Sequence, residues 1–214
     1  LRNFLEAMRG RRSSARLFYA ASAHVFGRPD REIVDESTPW APLDAYGETK
    51  AAGLRLLRGY REEHGLFVSA GYLFNHESPL RAERFLSRKI VLAAKRIRAE
   101  GGGRLVVGDL RARADWGWAP DYVRAMRDIL RLDRCDDFVV ATGKGHSVAE
   151  FAAGVFREFG LDADEHVVED PALLCDRKPV LIGDSGKLRR ACGWRPSVSF
   201  HEMLRLLARA ESAS

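Results

Sequence analysis

Cysteine is scarce in this chain, with three residues in 214: Cys135, Cys175 and Cys192. An odd number without metal-ligand spacing speaks against a disulfide framework and a cysteine-based metal site, and it suits a reducing cytoplasm. No run approaches the roughly 18 consecutive apolar residues of a membrane span, so no membrane partner is expected. Charge of one sign never accumulates either. Lys+Arg number 35 and Asp+Glu 30, a net +5, and the basic residues are spread along the whole length. That spread argues against a nucleic-acid stripe and leaves small anionic ligands as the expected partners. There is no repeat, low-complexity segment or flexible linker. Neither an initiator methionine nor a signal-peptide pattern opens the chain, and Leu1-Arg2-Asn3-Phe4-Leu5 reads as a helix already under way. What is present is a 46% hydrophobic composition, enough for one core, or one and a half.

Periodicity then divides the chain. Leu1, Phe4, Leu5 and Met8 recur at helical spacing up to Gly10. Arg16-Leu17-Phe18-Tyr19-Ala20-Ala21-Ser22 has the apolar run of a buried parallel strand and ends on a hydroxyl. In open α/β sheets ligands collect at the carboxyl ends of strands, although a serine there also serves as a turn or helix cap. A long loop through Trp40-Ala41-Pro42-Leu43-Asp44-Ala45 precedes a helix from Tyr46 to Glu63, and Leu66 to Phe74 is a second buried strand opening into a polar loop, Asn75 to Pro79. Beyond it, the pattern predicts a helix over 85–98, a strand over 104–108 and a helix from Pro120 to Leu132. A strand over 137–143 and a capping-box helix from Ser147 follow, then an edge strand over 179–184 and short helices over 187–192 and 201–210. The architecture implied is α/β: the C-terminal half of a doubly wound Rossmann-type parallel sheet plus a small mixed substrate-binding subdomain. Residues 1–79 would form the partial Rossmann domain, and 80–214 mostly the subdomain, interleaved with returning Rossmann elements.

Tyr46 and Lys50 stand four apart at the start of the long helix, on one face. An ammonium beside a phenol favours the ionised form and makes tyrosine, with its ordinary pKa of about 10, a usable base near neutrality. The same spacing also fits a half-buried tyrosine with a surface lysine.

Ser22, Tyr46 and Lys50, in that order and at those places, resemble the catalytic triad of the extended short-chain dehydrogenase/reductase family. Further stretches look like its GDP-mannose 4,6-dehydratase branch: Leu73-Phe74-Asn75-His76-Glu77-Ser78-Pro79, Arg81, Arg88-Lys89-Ile90, Asp115-Trp116-Gly117, Asp121-Tyr122-Val123, Phe138 to Gly143, and Cys192-Gly193-Trp194-Arg195-Pro196. The resemblance spans nearly the whole chain. It implies a lyase of nucleotide sugar metabolism, NADP-dependent with NAD as a second option, acting on a GDP-linked sugar in the cytoplasm as a homodimer or homotetramer. Tyr46 would take the proton of the sugar 4-hydroxyl, Lys50 would hold the nicotinamide ribose, and Ser22 would bind the reacting oxygen. His76 and Arg81 map to dinucleotide contacts, and Asn75, Arg88 and Lys89 to the nucleotide-sugar, where arginine's planar fork suits a diphosphate. Arg88 and Lys89 also fit a solvated helix face. Trp116 and Trp118 are candidates for ring stacking, with core packing expected for at least one.

The sequence departs from the family at several points. No strand is followed by Gly-x-x-Gly-x-x-Gly, and Gly101-Gly102-Gly103 closes a helix instead of opening one. The expectation is an incomplete chain lacking roughly a hundred residues of nucleotide-binding sheet, which would bind cofactor poorly. Two residues after Ser22, where the dehydratases carry the glutamate that removes the C5 proton, stands His24. Histidine can serve as a base near neutrality, and a packing or solvated role is the alternative. Arg113 stands one position away from the family's arginine before Asp-Trp-Gly, and Arg177 is the candidate for the pyrophosphate. Two alternatives stay open: a 4-keto reductase or epimerase without the elimination step, which His24 favours, and an inactive fragment or pseudoenzyme. No metal site is expected.

Overall fold

The structure is a computed structural model that describes residues 1–173 and 179–212. In chain order, α1 (Arg2–Gly10) leads to β1 (Leu17–Ser22), a 3₁₀ turn over Ala23–Phe26, and β2 (Ile33–Val34). The long helix α2 (Ala45–His64) precedes β3 (Val68–Leu73) and β4 (Asn75–Glu77). Then come α3 (Leu86–Glu100), β5 (Leu105–Val107), β6 (Arg113–Trp118), α4 (Ala119–Ile129), β7 (Asp137–Val140) and β8 (Gly145–Ser147). The chain closes with α5 (Val148–Glu158), α6 (Ala163–His166), β9 (Val167–Glu169), β10 (Ile182–Gly183), α7 (Gly186–Cys192) and α8 (Phe200–Ser212).

The principal sheet has the order β1-β3-β7, all parallel, with Leu17 opposite Val68 and Ala70 opposite Asp137. Every residue of β3 is buried. Because alternate side chains point to opposite faces, that strand is covered on both sides, and α2 and α4 both pack on it. β1 lies at the edge. Its Leu17 N–H donates to Phe67 O of the β3 side, so Leu17, Tyr19 and Ala21 pair inward. Phe18, Ala20 and Ser22 then turn their backbone groups to the open edge.

Two hydrophobic cores result. One gathers β1, α2, β3, α4 and β7 around Leu54, Leu57, Tyr72, Phe26 and Trp194. The other gathers α3, β5, β6, α5 and α8 around Ile90, Trp116, Phe151, Phe156 and Leu204. They interleave along the sequence, since residues 122–141 and 188–194 return to the first core after the second has begun. The second is served by a mixed sheet, in which β4 pairs parallel with β6 and β6 antiparallel with β8, and by the parallel pair β5-β9.

Local chemistry explains the element ends. Asp44 caps α2 by accepting the Gly47 N–H at 2.6 Å, and Gly65, at φ 62°, closes it in the left-handed conformation. Ser147 and Glu150 form the expected capping box of α5. Several segments differ from the sequence reading. Asn75-His76-Glu77 is a strand, not a loop, because leaving β3 it finds Trp116 to Trp118 of β6 as a partner. β2, β6, β8 and β9 are strands that the sequence reading lacks; each exists where a partner meets it, β2 against β10, β6 against β4 and β8, and β9 against β5. The edge strand expected over 179–184 is reduced to β10, paired with β2. Trp116 belongs to the second core against Phe151 and Phe200, so it is not a stacking platform for a ligand. Among the described residues no helix is long and apolar enough to cross a membrane, and no cluster of three or more His, Cys, Asp or Glu could hold a metal ion.

Candidate active site

β1 and the first turns of α2 together present the site. Ser22 ends β1, and its Oγ accepts the His24 N–H at 3.3 Å, capping the 3₁₀ turn that carries His24. The turn and the start of α2 can approach closely because Gly47 has no side chain: a Cβ there would lie 2.8 Å from the His24 carbonyl oxygen. Gly27, at φ 63°, is required in the same way, since a Cβ would collide with the Ala41 carbonyl. The result is that the His24 ring meets Tyr46 edge-on, with centroids 5.4 Å apart.

Tyr46 is 53% exposed, unusually open for a tyrosine at the head of a packed helix. Lys50 lies one turn on, its Nζ 5.5 Å from the Tyr46 ring centre and 5.4 Å from that of Tyr19. The ammonium donates to Ala20 O at 2.7 Å, one of the carbonyls on the open edge of β1. Partial burial lowers the Lys50 pKa from its usual value. Burial likewise raises that of Tyr19, with Tyr46 adding to the effect. Gly53 makes this arrangement possible, because a Cβ on that turn of α2 would strike the Tyr19 ring.

Contacts thus run from Ser22 to the His24 backbone, from the His24 ring to Tyr46 and from Tyr46 to Lys50. A fifth member, Asp44, escaped the sequence reading. One of its oxygens caps α2, and the other lies 3.1 Å from His24 Nδ1. A helix cap two residues before Tyr46 was the available signal. That the cap would also meet a histidine twenty positions earlier depends on the fold.

The remaining candidates lie on other elements. His76 stacks on Tyr122 with centroids 4.8 Å apart, and its Nδ1 donates to Phe74 O at 2.8 Å, leaving Nε2 as the acceptor nitrogen. Asn75 is exposed at the start of β4. The Arg81 guanidinium covers the Phe85 ring at 3.8 Å and has its Nε 3.4 Å from Glu77, which in turn accepts from Ser87 at 2.6 Å. Arg113 pairs with Glu32 at 3.3 Å. The Arg88-Lys89 pair is not a joint cationic clamp here. Adjacent helix positions face different ways; Arg88 turns to Glu211 of α8 at 2.5 Å, and Lys89 donates to Val106 O at 2.9 Å. Arg177 lies outside the described residues. A surface hollow of about 290 Å³ lined by Leu110, Ala149, Ala153, Ala163 and Val167 belongs to the second core, and none of the candidate residues borders it.

A carboxyl-end cluster of serine, tyrosine and lysine can bind a hydroxyl, remove its proton and hold a ribose. The residues present fit the nicotinamide end of a dinucleotide: Lys50 has its ammonium at the open edge of β1 beside an exposed phenol. For the phosphates the described residues offer Arg81 and no Gly-rich loop.

Comparison with known proteins agrees with this geometry. The family profile described as GDP-mannose 4,6 dehydratase matches residues 1–207. The chain is 37% identical over 198 residues to GDP-mannose 4,6 dehydratase 2 of Arabidopsis thaliana, covering 91% of this chain and 52% of that protein. It is 32% identical over 220 residues to the Homo sapiens GDP-mannose 4,6 dehydratase, covering 93% and 58%. It thus spans little more than half the length of these curated relatives. In fold it is similar to RMD of Pseudomonas aeruginosa, solved with NADPH, with a TM-score of 0.88 at 21% identity over 99% of this chain and 71% of that one. UDP-glucose 4-epimerase of Thermus thermophilus, solved with NAD, gives 0.84 at 25% identity over 99% and 68%. With a profile match over almost its whole length, this chain belongs to the GDP-mannose 4,6-dehydratase family.

Proposed function

We propose that this chain carries the catalytic and sugar-binding part of an NADP-dependent nucleotide-sugar 4,6-dehydratase, with GDP-mannose as substrate and GDP-4-keto-6-deoxymannose as product. The observation that supports the reading is the placement of Ser22 at the carboxyl end of β1, with Lys50 of α2 bonded to Ala20 O of the same strand and lying beside Tyr46. Bound NADP⁺ would take the hydride of sugar C4 and give it back at C6, so that it is not consumed, and NAD⁺ would supply the same chemistry. Ser22 orients the 4-hydroxyl and Tyr46 removes its proton. Lys50 keeps a positive charge beside the phenol and reaches the ribose. His76 and Arg81 contact the dinucleotide. Asn75 and Arg113 face the nucleotide-sugar, and the family resemblance assigns Arg177 to its pyrophosphate. Lys89 joins them, and Arg88 does so by exchanging Glu211 for a phosphate.

A homodimer or homotetramer and a cytoplasmic location belong to the same reading; the free thiols of Cys135 and Cys192 suit a reducing compartment. The complete protein, incubated with GDP-mannose and NADP⁺ across near-neutral pH, should yield a 4-keto-6-deoxy sugar nucleotide by mass spectrometry. Recovery of unreacted substrate alone would overturn the reading in favour of an inactive protein. A second reading, a 4-keto reductase or epimerase, draws on His24 at the position of the dehydratase carboxylate. Solvent deuterium appearing at C5 separates the two, because a simple 4-reductase never removes that proton.

A further inference from the structure

Resting on that reading, we infer that Asp44 and His24 form a positioned dyad in which Asp44 holds the proton on Nδ1 and His24 Nε2 is the base for the C5 proton. Three observations support it. First, Asp44 Oδ2 lies 3.1 Å from His24 Nδ1. An ionised carboxylate only accepts, so Nδ1 carries the hydrogen and Nε2 the lone pair. Second, Asp44 cannot easily swing away. Its other oxygen accepts the Gly47 N–H at 2.6 Å, and the amino end of α2 favours its negative charge. Third, the imidazole is fixed from its backbone as well as its ring, through the Ser22 hydroxyl and the edge-on contact with Tyr46.

The ring is nevertheless 39% exposed and its partner 49%, so the dyad is open to a ligand and is not a buried structural pair. The ionisable groups in contact with the imidazole include Asp44 and Tyr46, both on α2, with Lys50 one turn beyond.

Chemistry then assigns the task. Oxidation at C4 creates a carbonyl, which acidifies the adjacent C5–H. The C5–H bond breaks and its proton goes to Nε2, while the bonding pair forms the C5–C6 double bond. The C6–O bond breaks with its pair, and the departing hydroxide takes the same proton from the imidazolium and leaves as water. His24 returns to its neutral tautomer. Asp44 stabilises the transient imidazolium without itself changing protonation.

Asp44→Asn tests this, because asparagine is as good a helix cap as aspartate but can turn an amide donor toward Nδ1. Long-range ¹H–¹⁵N spectra of the 214-residue chain, recorded at about pH 8, above the ordinary imidazole range, report the tautomer directly. The wild type should show Nδ1–H at His24, and Asp44→Asn should shift the population to Nε2–H. Asp44→Ser, which keeps a cap and removes the carboxylate, should give a mixture. A wild-type Nε2–H tautomer, or a spectrum indifferent to residue 44, overturns the dyad. In the complete protein, the ratio of C5 deuterium exchange to cofactor reduction should fall on the order of 10²-fold in Asp44→Asn. An equal fall in both rates overturns the proposal and marks Asp44 as structural. If the wild type forms no 4-keto-6-deoxy product from GDP-mannose, the dehydratase reading fails, while the tautomer result still decides the dyad.

Discussion

Two groups of polar residues in this chain behave in opposite ways. At the junction between the cores, Asp115 is fully buried and accepts from Thr142 N at 2.9 Å, Thr142 Oγ1 at 2.6 Å, Gly143 N at 2.9 Å and Gly183 N at 3.3 Å. Asp121 is almost as buried and accepts from Ser197 N at 2.8 Å, Ser197 Oγ at 2.6 Å, Val198 N at 3.1 Å and Arg124 at 2.7 Å. At the edge of the sheet, Tyr46, His24 and Asp44 are half open. The first group spends its hydrogen-bonding capacity inside the protein, whereas the second lies half open to its surroundings. A motif carboxylate filled by backbone donors from other segments ties the fold together.

The comparison can be broken most forcefully at Asp115. Asp115→Ala strands three backbone N–H groups and a hydroxyl, and should lower stability by about 3–5 kcal/mol in urea denaturation. A loss under about 1 kcal/mol would mean that the junction is not a fold device. Tyr46→Phe should do the reverse. Its stability should stay within about 0.5 kcal/mol of wild type, while turnover by the complete protein drops about 10²–10⁴-fold.

Acid titration sharpens the contrast within the junction. Burial alone would raise the Asp121 pKa, but hydrogen bonds from Ser197 and Arg124 outweigh it and the pKa is lowered. Its stabilisation is therefore complete above the unfolded value of about 3.9 and is lost as pH falls through the lower folded value. Asp121→Asn should cost about 1–3 kcal/mol at neutral pH and flatten that acid limb of a stability–pH curve. For Asp115 burial wins over the hydrogen bonds and the pKa is raised. Its contribution is greatest below about 3.9 and declines as pH rises through the folded value, so Asp115→Asn should remove a decline above that point. Like signs for the two variants would contradict the comparison.

The smallest effect lies on α2. A Cβ at Gly59 meets only the tip of Glu63 at 3.9 Å, so Gly59→Ala should stabilise by about 0.5–1 kcal/mol by thermal unfolding. Gly53→Ala, which forces Tyr19 away from Lys50, should not share that gain.

Much of this organisation was legible in the residues. The strands β1, β3 and β7 fall within apolar runs, and α2, α3 and α5 carry helical periodicity, with α3 ending at the expected Gly101 and α5 opening on the expected Ser147 capping box. The triad could be read because a strand-end serine and a helix-borne tyrosine and lysine are local features. The splitting of Arg88 from Lys89 was not legible, since the choice of Glu211 depends on where α8 packs. Nor were the short strands β4, β6 and β8, which exist because partners meet.

The sequence by itself determined the parallel α/β class, the placement of Ser22 at a strand end and that of Tyr46 and Lys50 on one helix face, because each is written in residue type and local spacing. Only the tertiary structure decided that Asp44 reaches His24, that Lys50 takes the open-edge carbonyl of Ala20, and that Asp115 and Asp121 serve the fold. These are contacts between segments distant in sequence. Their partners are chosen by how strands and helices pack, and a one-dimensional pattern carries no record of that choice.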